Sequence, residues 1–397
     1  MSFGRPSRWP LCALTVLFLT LVGPVPAQEG DSVLVRIAFL KQLVDRPPAL
    51  SNLDEVSDDI GVSGGQLAVK DNNTTGRFIK QRFELAVATV PADGDSVSAF
   101  AQLVADGHRL IVTDLNADTL LSIADRSDAK DVLIFNASAS DDRLRNADCR
   151  PNLLHTTPSR AMLADALAQY LGWKRWSRWF LVVGRRDEDR LFADAVRRSA
   201  KKFGGRIVAE KKWDYGPDAR RTAQSEVPIF TQGVDYHVLI VADEVGEFGE
   251  YLMYRTWDPR PVAGTQGLVP TAWHRTHEQW GSVQLQKRFR ETYGRWMAPV
   301  DYTVWMAVRT VGEAATRTGS TDPSTIADYI RSEKFGLAAF KGRRLTYRDW
   351  NGQLRQPLLL AAPMSLVSVS PQKGYLHQLS ELDTLGFDRP ESECTLN

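Results

Sequence analysis

Residues 65–90 read GQLAVKDNNTTGRFIKQRFELAVATV, and the change of pattern within this stretch decides the fold class. Its first part mixes apolar and polar residues and predicts a helix over 65–72, whereas 83–90 is rich in apolar and β-branched residues and predicts a strand. Another strand is predicted earlier, at 33–40. Strand, helix and strand in this order predict a parallel sheet.

The same alternation extends along the chain and restarts after His155, which predicts a second α/β unit. Three helical segments then follow without strands of their own, and we expect them to cover the first sheet, which lacks enough helices. The further predicted strands are 110–113, 132–135, 179–183, a strand near 207, 237–241 and 357–362, and the further predicted helices are 96–105, 119–129, 160–171, 190–203, 284–293, 302–316 and 323–332.

The amino terminus has the order of a secretory signal. Arg5 and Arg8 precede an apolar run over 11–22, and the order predicts a signal peptide over 1–27 that is cleaved after Ala27. The run is shorter than the roughly 20 apolar residues that a membrane-spanning helix needs. We therefore expect export to the periplasm and no direct insertion in the membrane.

Size and charge limit the partners. Removing 27 residues from 397 leaves 370, which at about 100 to 200 residues per domain predicts two domains. The 49 basic and 48 acidic side chains give a net charge of +1, so neither nucleic acid nor an anionic membrane surface is an expected partner.

Two cysteines remain after cleavage, Cys149 and Cys394; a disulfide is predicted between them, with two free thiols as the alternative.

The stretch that begins at Gly65 and runs through Gly76 into the strand 83–90 resembles the opening of the leucine/isoleucine/valine-binding family of periplasmic proteins, which serve ABC transporters. The likeness covers nearly the whole mature chain. Within the family, the chain looks like the branch that accompanies quinoprotein (PQQ-dependent) alcohol dehydrogenases. The other segments that carry the likeness are 134–144, 153–159, 264–267 and 302–315.

The resemblance implies an α/β fold of the periplasmic binding protein type I, with two doubly wound parallel-sheet lobes joined by three hinge crossovers. Lobe 1 is expected over 32–153 plus 275–340, and lobe 2 over 154–274 plus 341–397. The ligand is expected in the cleft between the lobes, at the carboxyl ends of the strands. The implied function is the extracytoplasmic solute-binding component of an ABC transporter, a monomer that delivers a small-molecule ligand to a membrane permease and has no cofactor.

Five residues are carried over from the family's motifs as ligand contacts. Ser138 and Ser140 stand where the family offers backbone amides and hydroxyls to a ligand carboxylate, although serines after a strand also serve as helix caps. Gln266 replaces the acidic residue that amino-acid binders use for the ligand ammonium, so a standard amino-acid ligand is not expected. Asp118 and Tyr302 are expected to define the rest of the pocket.

Other patterns do not predict chemistry. The string Gly61-Val62-Ser63-Gly64-Gly65 matches G-x-S-x-G, but an acidic segment precedes it where a nucleophile elbow needs a strand, so Ser63 is interpreted as a helix cap. His274 and His277 lack further zinc ligands and are interpreted as solvated. The acids at 187–189 are interpreted as an exposed, self-compensating loop. No metal site or catalytic residue is predicted.

Departures from the family's pocket pattern leave a second hypothesis open. The chain is then a ligand-poor periplasmic scaffold or assembly factor of an alcohol-oxidation system, which keeps the fold and uses its surface. A solute-binding protein gains thermal stability from its ligand, whereas a scaffold responds only to its protein partner. An enzyme would require turnover that is abolished by Ser63→Ala.

Overall fold

The computed structural model describes residues 1–4, 32–45, 57–214 and 219–396, so 5–27 of the predicted signal peptide lie outside the described residues. The strands are β1 Val33–Gln42, β2 Gln81–Val90, β3 Leu110–Asp114, β4 Leu133–Asn136, β5 Leu153–His155, β6 Arg178–Val183, β7 Arg206–Lys212, β8 Val238–Ala242, β9 Val262–Gly264, β10 Val269–Thr271, β11 Leu337–Ala338, β12 Arg344–Tyr347, β13 Leu354–Arg355, β14 Leu358–Ala362 and β15 Ser365–Ser370. The helices are α1 Val62–Gly76, α2 Ser96–Ala105, α3 Ala117–Ala124, α4 Arg160–Trp173, α5 Asp187–Phe203, α6 Ala219–Thr231, α7 Gly249–Leu252, α8 Ser282–Tyr293, α9 Pro299–Thr318 and α10 Pro323–Arg331.

Two parallel sheets form the centres of the two lobes, as predicted. In lobe 1 the strand order is β2-β1-β3-β4-β5, and every neighbouring pair is parallel. In lobe 2 the order is β7-β6-β8-β9, again with parallel pairs only. Every residue of the inner strands β4 and β8 is buried, and all of them except Asn136 are apolar, as a sheet covered on both faces requires.

Helix α9 covers the sheet of lobe 1. Its buried side chains join those of β1, β3 and α8 in one apolar core, which confirms that the late helices without strands cover the first sheet. Leu345, Tyr347 and Leu354 belong to the same core, although the predicted boundary places them in lobe 2. The lobe boundaries as a whole stay a prediction.

Gly64 lets α1 lie directly against α9. A Cβ atom built on Gly64 would lie 2.0 Å from the carbonyl oxygen of Asp301, so only glycine permits this approach of the two backbones. The carboxylate of Asp301 accepts the backbone N–H of Gly61 at 2.7 Å and fixes the start of α1. The serine of this string is not a helix cap, because the Ser63 hydroxyl donates to the Asp59 carboxylate and the capping position is Gly61.

The carboxyl-terminal segment spans both lobes. Near its middle, the N–H of Gly386 donates to Asp165 of α4 at 2.9 Å, and Glu391 pairs with Arg198 of α5 at 2.9 Å, both in lobe 2. At its end, Cys394 forms the predicted disulfide with Cys149, which follows the 3₁₀ helix Asp142–Arg145 of lobe 1. The segment therefore connects the two lobes covalently.

Three crossovers, at 156–159, 272–281 and 356–357, connect the lobes. The first and third are held together by Gln353, whose side-chain amide donates to the carbonyl oxygens of His155 and Thr157 at 3.3 and 3.1 Å. Gln356 donates to Thr156 at 2.7 Å. Within the described residues, no helix combines the length and apolarity that crossing a membrane requires.

Candidate functional site

A cleft of about 1340 Å³ opens between the lobes. Lobe 1 contributes Ile60, just before α1, and the segment 295–299 that leads into α9. Lobe 2 contributes residues around α7, the turn after β9, and the hairpin between β14 and β15. The second crossover borders the same cavity, so a change in its backbone angles would alter the distance between the two walls.

The lining is rich in rings and thioethers. Tyr254, which follows α7, is 94% exposed, and Met364, in the hairpin between β14 and β15, is 79% exposed. The backbone of Tyr254 has φ of 64°, a left-handed conformation that costs energy for a residue with a side chain. Large side chains held exposed along a cleft form an apolar surface that a bound molecule would cover. The remaining aromatic and thioether residues of the lining are Tyr251, Met253, Trp273, Trp296 and Met297.

The cleft lining includes three arginines and one acidic residue, Glu250. Arg295 is committed to structure, because it pairs with Asp59 and with Asp301 at 2.9 and 2.6 Å. Among the described residues, Arg275 donates to the carbonyl oxygen of Pro363 at 3.1 Å and to the Met364 sulfur. Arg255 donates to the carbonyl oxygen of Tyr251 at 3.2 Å. Within the side chains that the structure describes, neither Arg255 nor Arg275 has an acidic partner.

Similarity to known proteins agrees with this architecture. Residues 60–226 match the family model described as periplasmic binding protein, and the solved structures of such proteins superpose along most of the chain. The chain has the fold of a periplasmic binding protein. The predicted resemblance is thereby confirmed, while the quinoprotein association stays a prediction.

Three solved binding proteins illustrate the likeness. A leucine-, isoleucine-, valine-, threonine- and alanine-binding protein from Brucella ovis, in a closed conformation, has a TM-score of 0.69 at 14% identity over 93% of this chain and 100% of that one. A branched-chain amino acid ABC transporter ligand-binding protein from Burkholderia xenovorans has a TM-score of 0.68 at 17% identity, over 84% of this chain and 95% of that one. An ABC transporter substrate-binding protein from Desulfitobacterium hafniense, in complex with Leu, has a TM-score of 0.64 at 18% identity, over 85% of this chain and 99% of that one. No curated protein sequence matches the chain.

Of the five residues predicted to contact a ligand, Gln266 lines the cleft. It lies in the turn after β9, and it packs so closely on α7 that a Cβ atom on Gly249 would come within 2.4 Å of its Cγ. The other four, Asp118, Ser138, Ser140 and Tyr302, do not line this cleft. The structure therefore does not bring the predicted set together in it.

The amides after β4 are already occupied. The Asn136 side-chain oxygen accepts the N–H of Ser138 at 3.2 Å and that of Ala139 at 2.9 Å, which are the donors expected for a ligand carboxylate. The Ser138 hydroxyl donates to Leu115, and the Ser140 hydroxyl donates back to Ser138. Both amides are thus engaged by the Asn136 side chain of the same segment.

Asp118 and Tyr302 point to different environments. Asp118 is exposed in the first turn of α3 and pairs with Arg143. Tyr302 is fully buried: its hydroxyl donates to the carbonyl oxygen of Ala339 at 2.6 Å, and its ring stacks on Trp273 with centroids 4.2 Å apart. Tyr302 has no free surface for a ligand in this conformation, because it packs in the apolar core of lobe 1.

Buried ionisable groups surround the crossovers. His277 is buried rather than solvated: its Nε2 donates to the Phe340 carbonyl at 2.8 Å, and burial lowers its pKa to about 4. Lys341 donates to the carbonyl oxygens of Ala272 and Pro357, which belong to the second and third crossovers, and burial lowers its pKa to about 7. These contacts fix the hinge in its present arrangement.

The sequence interpretation missed the contacts that Glu244 makes with Asp189 and Arg160. Asp189, interpreted as part of an exposed loop, is buried and accepts the N–H of Glu244 at 2.8 Å. Burial raises the pKa of Asp189 to about 6. Arg160 binds Glu244 directly. Nothing in the local sequence marks these residues, because they meet only when strands far apart in sequence become neighbours. Within the described residues, no group of three or more His, Cys, Asp or Glu is placed to hold a metal ion.

Proposed function

We propose that the chain is the solute-binding component of an ABC importer and that it takes a carboxylate-bearing solute in the cleft lined by Gln266. The similar solved structures include an ABC transporter substrate-binding protein in complex with Leu and a leucine-, isoleucine-, valine-, threonine- and alanine-binding protein. The family match supports a role in binding rather than in catalysis, and we propose a periplasmic monomer that docks on a membrane permease.

One observation carries the ligand class. Arg255 and Arg275 present guanidinium groups to an aromatic cleft without acidic partners within the described side chains, so each retains donors for an anion. A guanidinium fork matches the two oxygens of a carboxylate, and rings beside it suit an apolar body. The neutral Gln266 amide adds a donor and an acceptor but no negative charge for a ligand ammonium. A carboxylic acid that lacks an amino group fits these contacts better than an amino acid does.

The test starts from the mature protein, purified without denaturation. Native mass spectrometry would reveal a co-purifying solute, and a thermal-shift screen would compare aromatic and aliphatic monocarboxylates with the corresponding neutral amides and with amino acids. We expect carboxylates to raise the melting temperature and the amides of the same shape to leave it unchanged. No bound solute and no shift with any compound would reject the proposal and favour the scaffold hypothesis.

Replacing Arg275 with glutamine is expected to weaken binding of the best carboxylate at least about tenfold, because a hydrogen bond to a charged group contributes roughly 1.5 to 3 kcal/mol. Isothermal titration calorimetry measures the change. Arg343→Gln is the matched control, since Arg343 is exposed, lies outside the cleft and makes only a 3.4 Å contact with Glu381. Equal affinities of the two variants would show that Arg275 does not bind the carboxylate.

A further inference from the structure

Arg160 lies where the first crossover enters lobe 2 and is only 5% exposed. It is the first residue of α4, directly after the first crossover, and its backbone N–H donates to the carbonyl oxygen of Ser140 at 2.8 Å. Its side chain thus begins where the chain passes from lobe 1 to lobe 2. An arginine at this point reaches both lobes.

The guanidinium binds one carboxylate from each lobe. On the side of lobe 2, Nε and Nη2 donate to the two oxygens of Glu244 at 2.8 and 2.7 Å, a bidentate pair. On the side of lobe 1, Nη1 donates to Asp141 at 2.9 Å. Glu244 follows β8, and Asp141 follows β4, so the two carboxylates come from the carboxyl ends of strands in opposing sheets.

The carboxyl ends of the strands are where open parallel sheets bind ligands. The segments that carry the two carboxylates make further hydrogen bonds with the surrounding structure. The N–H of Glu244 is held by Asp189 at 2.8 Å, and the neighbouring Asp142 accepts the N–H of Ala161 at 2.9 Å. The arrangement has the features of a built cation site, and the cation in it is a side chain of the protein itself.

We propose that Arg160 is an internal occupant of the ligand position at the carboxyl ends of the strands: it clamps the lobes together beside the first crossover and, given the proposed function, confines solute to the cleft lined by Gln266 and Arg275. It acts as a positioning residue and does not contact solute. A consequence is that Asp141 and Glu244 form a latent binding site for a small planar cation, which removal of the Arg160 side chain uncovers.

The test uses Arg160→Ala and the probe methylguanidinium, with urea as a neutral molecule of similar planar shape. We expect the variant to melt several degrees below the unmodified protein, because two partly buried carboxylates lose their cation. Methylguanidinium should restore the melting temperature in a saturable manner, whereas urea should not. The unmodified protein should gain no stability from either compound.

Small-angle X-ray scattering gives a second readout that stability alone does not affect. The radius of gyration of Arg160→Ala should exceed that of the unmodified protein, and methylguanidinium should return it. Arg186→Ala is the matched control: Arg186, just before α5, pairs with Glu247, between β8 and α7, at 2.9 Å, and both residues belong to lobe 2, so neither lobe separation nor rescue is expected.

Two outcomes would overturn the proposal. One is an equal response of Arg160→Ala and the unmodified protein to methylguanidinium, and the other is rescue that persists in Arg160→Ala combined with Glu244→Gln. If Arg160→Ala does not fold, Arg160→Lys keeps the charge but not the fork, and an unchanged radius of gyration in that variant contradicts the clamp. The experiment needs no solute, so its result does not depend on the proposed function.

Discussion

Changing Asp383 to asparagine is expected to lower the free energy of unfolding by about 3 to 5 kcal/mol, the range for removing one partner of a buried ion pair. Asp383 is fully buried and accepts hydrogen bonds from Arg348 at 2.8 Å and from Arg355 at 2.8 and 2.9 Å. Arg348 is itself buried, so it cannot regain water when the carboxylate is lost. Urea unfolding followed by circular dichroism measures the difference.

The control for Asp383→Asn is Asp235→Asn. Asp235 also pairs with an arginine, Arg178, but its side chain is 71% exposed. An exposed pair contributes about 1 kcal/mol at most, so this variant should unfold nearly as the unmodified protein does. Similar losses in the two variants would show that burial does not determine the strength of the Asp383 pairs.

Changing Gly64 to alanine is expected to destabilise the protein by about 3 kcal/mol, the upper part of the usual range for overpacking a core. The new Cβ atom would lie 2.0 Å from the Asp301 oxygen and 2.7 Å from its Cα, so α1 and α9 must separate. Backbone atoms of a buried helix cannot turn aside. Alanine is the better helix former by about 1 kcal/mol, so the measured loss is net of that gain.

Gly65→Ala tests the same helix one residue further along. Its Cβ would meet the tips of Leu85 and Val304 at 2.8 and 3.3 Å, and side-chain ends can rotate away. We expect a loss below about 1 kcal/mol, after the gain in helix propensity. Thermal unfolding of both variants compares them directly. A Gly64→Ala protein as stable as Gly65→Ala would show that the two helices have room to separate without cost.

Hydrophobic periodicity predicted most of the fold. The run 83–90 lies within β2, the predicted helix 96–105 is α2, and 160–171 lies within α4, because each of these buries a continuous apolar face. The described residues directly before the string at Gly61 to Gly65, 57–60, form no strand, whereas a nucleophile elbow needs one there. The actual role of the string, the close approach of two helices, depends on α9, which lies over 200 residues further along the chain.

The site was less predictable, for a physical reason. Family motifs locate backbone positions, but they do not show which donors other side chains have already taken, as Asn136 has done beside Ser138. The contact between Arg160 and Glu244 joins residues 84 positions apart, and no local pattern encodes it. The hydrogen bond from His277 to the carbonyl oxygen of Phe340 likewise joins residues 63 positions apart, which its own segment does not reveal.

The disulfide between Cys149 and Cys394 closes a ring of main chain, because 245 positions separate the two cysteines. The whole parallel sheet of lobe 2 lies inside this ring, and so do the residues that lobe 2 contributes to the cleft. One cut by a protease anywhere within the ring therefore yields two segments that are still one covalent molecule. A nicked protein would retain its full mass on a non-reducing gel and divide only when a thiol is added.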